Sequence, residues 1–490
     1  MNETALGGAA ARLTLRDALA VGGMVAVCLA VRLLELSERP IVPYFTLSDE
    51  LLRAPWRMLL PLDIGDGYSR WSATGLVIVG LLQLIMSASA VFLVLNVALI
   101  VAAFGLAWRA SGSRPFAYAL AACMAATTQY HWSFINAGVL PLYLTSAFLL
   151  WQLAAFAWIA WEGLRGAGRR PRVEFVVSLL ALALSWEQWL DYWLFAMCMG
   201  ALLLALSPRF ERVRRADVRW AMVVMAVLGV VYIAVKLATA TEHGTPGKES
   251  ELVFGYLTRD GLGVANGAVL AIEDMVSNFF TYTYLALTNF LPAGLMPGQS
   301  LARIPLDAIV GAQRGYHPQM AHLVGYHHVF YWYLFAGVLT TALVGFTAWT
   351  LRRAIRDSSP AALAGAALGL LVLLGSATHL LIKYRPYLSE PLLHYKAGIG
   401  VTGAGVLFAY GFALLWRSRT RRGRLTMTLA GSLLLFWGML SRPPGLSAMS
   451  SRLQMGTLAD PAGIAMHEAT QALHRNYTPA KQRVLRAIGR

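Results

Sequence analysis

Apolar residues run along the chain in long blocks that are separated by short polar segments. A helix needs about 20 apolar residues to cross the ~30 Å hydrocarbon core of a bilayer, so each block predicts a membrane span. The predicted spans are 15–37, 73–108, 115–131, 138–161, a hairpin over 174–207, 219–238, 329–351, 361–382, 396–416 and 425–441. The long block 73–108 predicts either a strongly tilted helix or an interfacial helix followed by a span. We therefore expect an all-α polytopic membrane protein with about eleven transmembrane helices.

Arginine residues cluster in every second connection between these blocks, which the positive-inside rule assigns to the cytoplasm. The clusters are Arg12 and Arg16; Arg109 and Arg114; Arg165, Arg169, Arg170 and Arg172; Arg209, Arg212, Arg214, Arg215 and Arg219; Arg352, Arg353 and Arg356; and Arg417, Arg419, Arg421, Arg422 and Arg424. This pattern predicts a cytoplasmic N-terminus and a transmembrane domain over 1–441, followed by a small outer tail over 442–490. Two large outer segments, 38–73 and 239–328, are expected to contain interfacial helices. Within the second, 275–295 is apolar and aromatic, and prolines break the segment into short pieces.

The composition agrees with a membrane location, since 57% of the residues are hydrophobic and 13% are charged. The net charge of +16 raises the question of nucleic-acid binding. Because most arginines lie in the short clusters, anionic lipid headgroups account for the charge, and we expect no nucleic-acid partner. Cys28, Cys123 and Cys198 lie inside apolar blocks without the spacing of a disulfide or a metal site. We expect them to pack as small hydrophobes, and we expect no cofactor.

Four carboxylates lie in the first outer segment, close to the predicted membrane surface. Asp49 and Glu50 are adjacent, and Asp63 and Asp66 follow beside glycines that allow a sharp turn. A carboxylate next to an acceptor hydroxyl can act as a general base, which makes Asp49 and Glu50 catalytic candidates. Alternatively Asp49 caps a short helix, because the stretch from Thr46 to Asp49 resembles a capping box. Asp63 and Asp66 are expected to form the turn or to contact sugar hydroxyls.

Cationic residues occur in a later outer turn, whereas the other outer turns contain few of them. Lys383 and Arg385 follow the span 361–382, and His394 and Lys396 precede or open the next span. Arginine can hold a phosphate through its planar fork and lysine can hold it as a point charge. Snorkelling of these side chains to outer headgroups is the alternative.

Further polar candidates lie in the long outer segment and in two other outer turns. Arg303 and Arg314 are candidates for phosphate contacts, and His317 for contacts with a sugar or a phosphate. The histidines near His317 lack a companion Asp or Cys at ligand spacing, so they do not predict a metal site. For the two turns, an aromatic belt at the membrane interface is the alternative to sugar binding. The candidates there are His131, Trp132 and Glu187.

An acidic pair in the first outer loop and a large outer segment after the seventh span resemble the GT-C superfamily of integral-membrane glycosyltransferases. Here Asp49-Glu50 matches the acidic pair and 239–328 matches the large segment. The resemblance implies that a sugar moves from a polyprenyl-phosphate-linked donor to an envelope glycan, lipid or protein. It implies a bacterial inner membrane, an active site at the outer face and inversion at the anomeric carbon. The tail lacks a WWDYG-like motif of oligosaccharyltransferases, which argues against transfer to peptide asparagine.

The same resemblance implies roles for the charged candidates. Asp49 or Glu50 would take the proton of the acceptor hydroxyl, and Lys383 and Arg385 would hold the departing phosphate together with Arg303 or Arg314.

Two other functions fit the sequence pattern. An O-antigen polymerase or ligase-like enzyme also has many spans and a large outer loop, and it would depend on Arg303, Arg314 and His317. A transporter or flippase for lipid-linked glycans would instead need ionisable residues deep within the spans, where Lys236 is the main candidate.

Overall fold

The computed structural model describes residues 13–38, 86, 88–126, 190–206, 208, 215–240, 326–382 and 398–440, with five positions between 279 and 287. All regular structure within these residues is helical. The helices are α1 (Leu15–Glu38), α2 (Ala88–Ser111), α3 (Arg114–Ala126), α4 (Leu190–Leu206), α5 (Arg215–Ala240), α6 (Tyr326–Asp357), α7 (Pro360–Ile382), α8 (Gly398–Ser418) and α9 (Arg421–Leu440).

Most of these helices coincide with predicted spans, and the all-helical class is confirmed for the described residues. Within the described ranges, two stretches are long and apolar enough to cross a membrane by length and composition, Pro360–Ala377 in α7 and Gly400–Ser418 in α8. They support a membrane protein, whereas the count of eleven spans and their orientation stay predictions. The predicted span 138–161 and the first half of the hairpin 174–207 lie outside the described residues.

Several helices extend beyond the spans that the sequence predicts. α5 begins at Arg215 and α9 at Arg421, each four residues earlier than predicted. α6 continues through Arg352 and Arg356 to Asp357, beyond the predicted end of its span. Hydropathy marks where apolar residues stop, but a helix continues wherever its backbone hydrogen bonds can form.

Ser and Thr residues define where several helices start. Thr14 caps α1, Ser359 caps α7 through a hydrogen bond from the Ala362 amide (3.4 Å), and Thr420 caps α9. Each side-chain oxygen accepts from an amide in the first turn, which has no partner within its own helix. Gly112 directly follows α2, and its φ of 61° is the left-handed conformation that closes many helices.

Helices α6, α7 and α8 pack in sequence with alternating direction. Gly365 and Gly369 of α7 lie against Thr350 and Thr347 of α6, so the two helices run antiparallel from their turn at residues 358 and 359. The Tyr410 hydroxyl of α8 donates to the carbonyl of the second residue of α7 at 2.8 Å. The α6–α7 turn and the α8–α9 turn therefore lie at one end of this group. We call it the arginine-rich end, after Arg352, Arg353, Arg356 and the five arginines between positions 417 and 424.

Alanine is the most frequent residue type in the core of the described bundle. α3 contacts α1, α2, α8 and α9, and α7 contacts α4, α6 and α8. Close approach of helix backbones through small residues is typical of helix packing in membranes, where burial of apolar surface does not itself drive association. The buried alanines of α7 and α8 are Ala362, Ala364, Ala366, Ala367, Ala404, Ala409 and Ala413.

The outward faces of several helices are apolar and exposed. On α9 the exposed residues Leu425, Leu429, Leu433 and Phe436 follow one another at intervals of three and four positions, which places them on one helix face. Exposed apolar stripes of this kind are expected where lipid chains cover the protein, and they agree with the two spanning helices.

The described positions between 279 and 287 are helical. Thr283 and Ala286 are fully buried, and a Cβ added to Gly400 at the start of α8 would lie 3.2 Å from the Ala286 side chain. Part of the segment 275–295, which the sequence predicts to lie on the membrane or to enter it, therefore packs inside the bundle.

Candidate functional site

Lys236, the candidate of the transporter alternative, lies in α5. The residues predicted for glycosyl transfer all lie outside the described part of the chain, so their positions stay predictions. They are Asp49, Glu50, Asp63, Asp66, His131, Trp132, Glu187, Arg303, Arg314, His317, Lys383, Arg385, His394 and Lys396.

The described helices nevertheless fix where several of these segments join the bundle. Lys383 and Arg385 directly follow the last residue of α7, and Lys396 precedes the first residue of α8. Because α6, α7 and α8 alternate in direction, the start of α6, the end of α7 and the start of α8 share the end opposite the arginine-rich turns. The long segment that contains Arg303 and Arg314 joins the bundle at this same end, through Tyr326.

A buried carboxylate forms the most extensive polar cluster among the described residues. Asp17 is 2% exposed, and its two oxygens accept hydrogen bonds from Nε and Nη2 of Arg114 at 2.9 and 3.1 Å. The Tyr118 hydroxyl donates to Asp17 at 2.5 Å. The Thr14 amide and hydroxyl donate to Asp17 at 2.8 and 2.7 Å. The Asp17 amide in turn donates to the Thr14 hydroxyl oxygen at 3.4 Å.

This cluster combines a helix cap with an ion pair between helices. The reciprocal bonds of Thr14 and Asp17 are a capping box at the start of α1. The fork of Arg114 matches the carboxylate geometry and ties α1 to the α2–α3 turn. Both oxygens of Asp17 are engaged by these donors, so the arrangement suits an anchor and not proton transfer.

Aromatic rings cover the same cluster from α2. The guanidinium carbon of Arg114 lies 5.2 Å from the centre of the Trp108 ring, and Phe104 lies 5.3 Å from Tyr118 between ring centroids. A cation over an aromatic face gains electrostatic energy that grows as water is excluded. Sequence reasoning treated Arg114 only as a topology marker and missed Asp17, although the Thr14-x-x-Asp17 spacing could have signalled it.

A second buried charge lies farther along α1. Arg32 is 1% exposed, and its Nη2 donates to the Ala125 carbonyl at 3.4 Å. The Cys28 thiol lies 3.8 Å from the same carbonyl. Ala125 is in the last turn of α3, whose carbonyls lack helical partners and attract positive charge. Sequence reasoning missed Arg32 too, although one arginine inside an apolar block is itself a signal.

The contacts of Asp17 and Cys28 also give the relative direction of α1 and α3. The pairs Asp17–Arg114 and Cys28–Ala125 are each separated by 97 residues. A constant separation over 11 positions means that the two helices run parallel and in register. α1 therefore contacts α3 from Asp17 to Arg32.

Neither charged cluster resembles a metal centre. Within the described residues, no group of three or more His, Cys, Asp and Glu side chains is arranged to hold a metal ion.

Comparisons with known proteins give a weak structural likeness. No protein-family model matches the chain, and no curated protein matches it. One similar structure is the oligosaccharyltransferase AglB of Archaeoglobus fulgidus in complex with an inhibitory peptide and a dolichol-phosphate, at 13% identity and a TM-score of 0.39. Another is an Archaeoglobus fulgidus oligosaccharyltransferase in complex with Zn and sulfate, at 13% identity and a TM-score of 0.36.

The alignments cover 94% and 93% of this chain, but only 60% and 57% of the two archaeal chains. This chain therefore spans less than two thirds of their length. TM-scores of this size do not establish a shared fold.

Proposed function

We propose that this chain is an integral-membrane glycosyltransferase that uses a polyprenyl-phosphate-linked sugar as donor. The acceptor is a glycan, lipid or protein of the cell envelope, and the reaction takes place at the outer face of a bacterial inner membrane. The observation that carries the proposal is the alternation of α6, α7 and α8. It joins the segments of Arg303, Arg385 and Lys396 to the end of the bundle where the positive-inside rule predicts few cations.

In the proposed reaction, a carboxylate accepts a proton and several cations stabilise the phosphate. Asp49 or Glu50 takes the proton from the acceptor hydroxyl, and the acceptor oxygen then forms a bond to the anomeric carbon. The bond between that carbon and the phosphate oxygen breaks, and polyprenyl phosphate leaves with the electron pair. Attack from the face opposite the phosphate inverts the anomeric centre. Lys383 and Arg385 stabilise the negative charge on the leaving group.

The other predicted residues have supporting roles in this proposal. Arg303, Arg314 and Lys396 add positive charge around the phosphate. Sugar and acceptor contacts are assigned to Asp63, Asp66, His131, Trp132, Glu187, His317 and His394.

The length of the chain allows the two halves of this site to meet. Contacts of α1 with α3, α3 with α8 and α8 with α7 link α1 to α7 in three steps, and neighbouring helix axes lie about 8–10 Å apart, which gives at most about 30 Å between α1 and α7. The eleven residues from Glu38 to Asp49 can extend about 36 Å, and the three from Ile382 to Arg385 about 10 Å. A common site for Asp49 and Arg385 is therefore geometrically possible, provided that α1 and α7 end at the same membrane surface.

A transporter requires ionisable residues that change partners within the membrane. The two buried charged residues of the described part, Asp17 and Arg32, bond to neighbouring helices in arrangements typical of structural contacts. They do not favour transport over transfer.

A turnover assay with charge variants tests the proposal. Purified full-length protein is given a panel of labelled polyprenyl-phosphate-linked hexoses and pentoses, and the release of polyprenyl phosphate is measured. Loss of the general base is expected to lower the rate by about 100- to 10,000-fold. The variants are Asp49→Asn, Glu50→Gln and Arg385→Ala, and Arg353→Ala at the arginine-rich end is the matched control.

We expect one carboxylate variant and Arg385→Ala to lose turnover, while Arg353→Ala keeps it. Turnover at the wild-type rate in both carboxylate variants would refute the general base. If the wild type releases no polyprenyl phosphate but moves a lipid-linked glycan across vesicle membranes, the protein is a flippase.

A further inference from the structure

The turn between α8 and α9 has an excess of positive charge that its own helices do not balance. Five arginines lie between positions 417 and 424, and residues 398–440 contain no Asp or Glu. Arg417, Arg419, Arg421 and Arg422 are exposed. A ligand with negative charge can therefore approach several guanidinium groups at once.

The fifth arginine stabilises the turn itself. Arg424 donates through Nε to the Trp416 carbonyl at 2.9 Å and through Nη2 to the Arg417 carbonyl at 3.2 Å. Its guanidinium carbon also lies 4.4 Å from the centre of the Trp416 ring. These contacts hold the end of α8 against the start of α9, so the neighbouring arginines are presented by an ordered turn.

At two other described turns, a carboxylate forms an ion pair with an arginine. In the α6–α7 turn, Arg353 and Arg356 lie 3.5 and 3.6 Å from the oxygens of Asp357. In the α2–α3 turn, Arg114 is paired with Asp17. The α8–α9 turn differs in that, among the described residues, no carboxylate forms an ion pair with Arg419, Arg421 or Arg422.

An exposed apolar stripe begins directly beside these arginines. Leu425, Leu429, Leu433 and Phe436 are exposed along one face of α9, and Arg421 precedes Leu425 by one helical turn on that face. At 1.5 Å per residue, the stripe from Leu425 to Phe436 is about 16 Å long. One leaflet contributes about 15 Å of hydrocarbon, so the stripe matches the depth of a single leaflet.

We propose that the α8–α9 turn and the exposed face of α9 together bind an anionic phospholipid of the adjacent leaflet. The phosphate lies against Arg419, Arg421 and Arg422, whose guanidinium forks match its oxygens. The acyl chains lie along Leu425, Leu429, Leu433 and Phe436. A soluble polyanion would engage the arginines but would leave the apolar stripe without a partner, and so the combination selects a lipid.

Native mass spectrometry of the purified full-length protein in detergent tests this site. The protein is titrated with dioleoyl phosphatidylglycerol or with dioleoyl phosphatidylcholine, and the affinity of the tightest bound lipid is measured. Each arginine near an anionic headgroup is worth about fivefold in affinity, so removing three is expected to weaken phosphatidylglycerol binding by at least about tenfold. The site variant is R419Q/R421Q/R422Q, and the control is R352Q/R353Q/R356Q, which removes equal charge from the turn that contains Asp357.

A second variant separates lipid from soluble phosphate. L429S/L433S is expected to weaken the binding of phosphatidylglycerol and to leave the binding of glycerol 1-phosphate unchanged. Equal losses in the site variant and the control would overturn the proposal, as would competition by glycerol 1-phosphate or a short RNA at the affinity of phosphatidylglycerol.

Thermal unfolding midpoints show whether each variant is folded, and the single variant R422Q replaces the triple variant if the latter is not. Because binding is read without turnover, failure of the glycosyltransferase proposal leaves this test unaffected.

Discussion

Replacing Asp17 with asparagine removes a buried negative charge and keeps the size of the side chain. Arg114 then faces an amide in place of a carboxylate, and the fork of hydrogen bonds at 2.9 and 3.1 Å loses its charge assistance. Breaking a fully buried ion pair costs about 3–5 kcal/mol. The Arg114 side chain is 43% exposed, so water can solvate the guanidinium again, which lowers the expected cost to about 2–3 kcal/mol.

The assay is a denaturant titration of the full-length protein in detergent, monitored by circular dichroism. A double-mutant cycle of Asp17→Asn with Arg114→Gln isolates the pair, and a coupling energy of about 1–2 kcal/mol is expected for direct contact in one network. The matched control is Asp357→Asn, because this carboxylate also pairs with arginine but is 46% exposed. Its replacement is expected to cost less than about 1 kcal/mol.

Two outcomes would refute this reasoning. If Asp17→Asn lowers the free energy of unfolding no more than Asp357→Asn does, burial does not strengthen the ion pair of Asp17 and Arg114. If the coupling energy with Arg114→Gln is near zero, the capping box alone accounts for the contribution of Asp17, and α1 is not held to the α2–α3 turn through this contact.

Two further substitutions test the packing of α6, α7 and α8 by the same titration. Gly369→Val is expected to destabilise the protein by about 1–3 kcal/mol, because a Cβ at this position meets the side chain of Thr347. Gly345→Ala is the control, since a Cβ at Gly345 has nothing within 4 Å. Equal losses of stability in the two variants would contradict the close approach of α6 and α7. Tyr410→Phe removes the hydroxyl that donates to the Ala361 carbonyl at 2.8 Å. The free energy of unfolding is expected to fall by about 1 kcal/mol. An unchanged stability would mean that this hydrogen bond makes no net contribution.

The sequence predicts the helices of the described part because a bilayer sets the length of an apolar block. For α1, α7 and α8 the blocks end close to the helix ends, where Ser, Thr or Gly also interrupts the pattern. α6 shows the limit of this reasoning. Its last turn is polar, but Arg353 and Asp357 lie four positions apart and support the helix through an ion pair that hydropathy cannot register.

The contacts between helices could not be predicted in the same way. Asp17 bonds to a residue 97 positions later in the chain, and the local pattern around Asp17 does not indicate that this partner is Arg114. The same holds for the predicted catalytic pair and the phosphate clamp, since more than 300 positions separate Asp49 from Arg385. The residue type and the predicted membrane side indicate which chemistry each side chain can perform. The distance between two such side chains depends on helix packing, which the local sequence does not show.

The use of arginine differs between places in the described bundle, and this difference bears on both proposals. Arg114 is bound by a carboxylate, Arg353 shares one with Arg356, and Arg424 is held by carbonyls and a tryptophan ring. Structural contacts of this kind need no ligand. In the α8–α9 turn, Arg419, Arg421 and Arg422 are exposed and form no ion pair with a carboxylate among the described residues, so an external anion can act as their counterpart. In the proposed transfer reaction, Lys383 and Arg385 would bind a different anion, the phosphate of the sugar donor. A lipid-binding α8–α9 turn combined with donor release that depends on Arg385 would assign the two anions to separate surfaces.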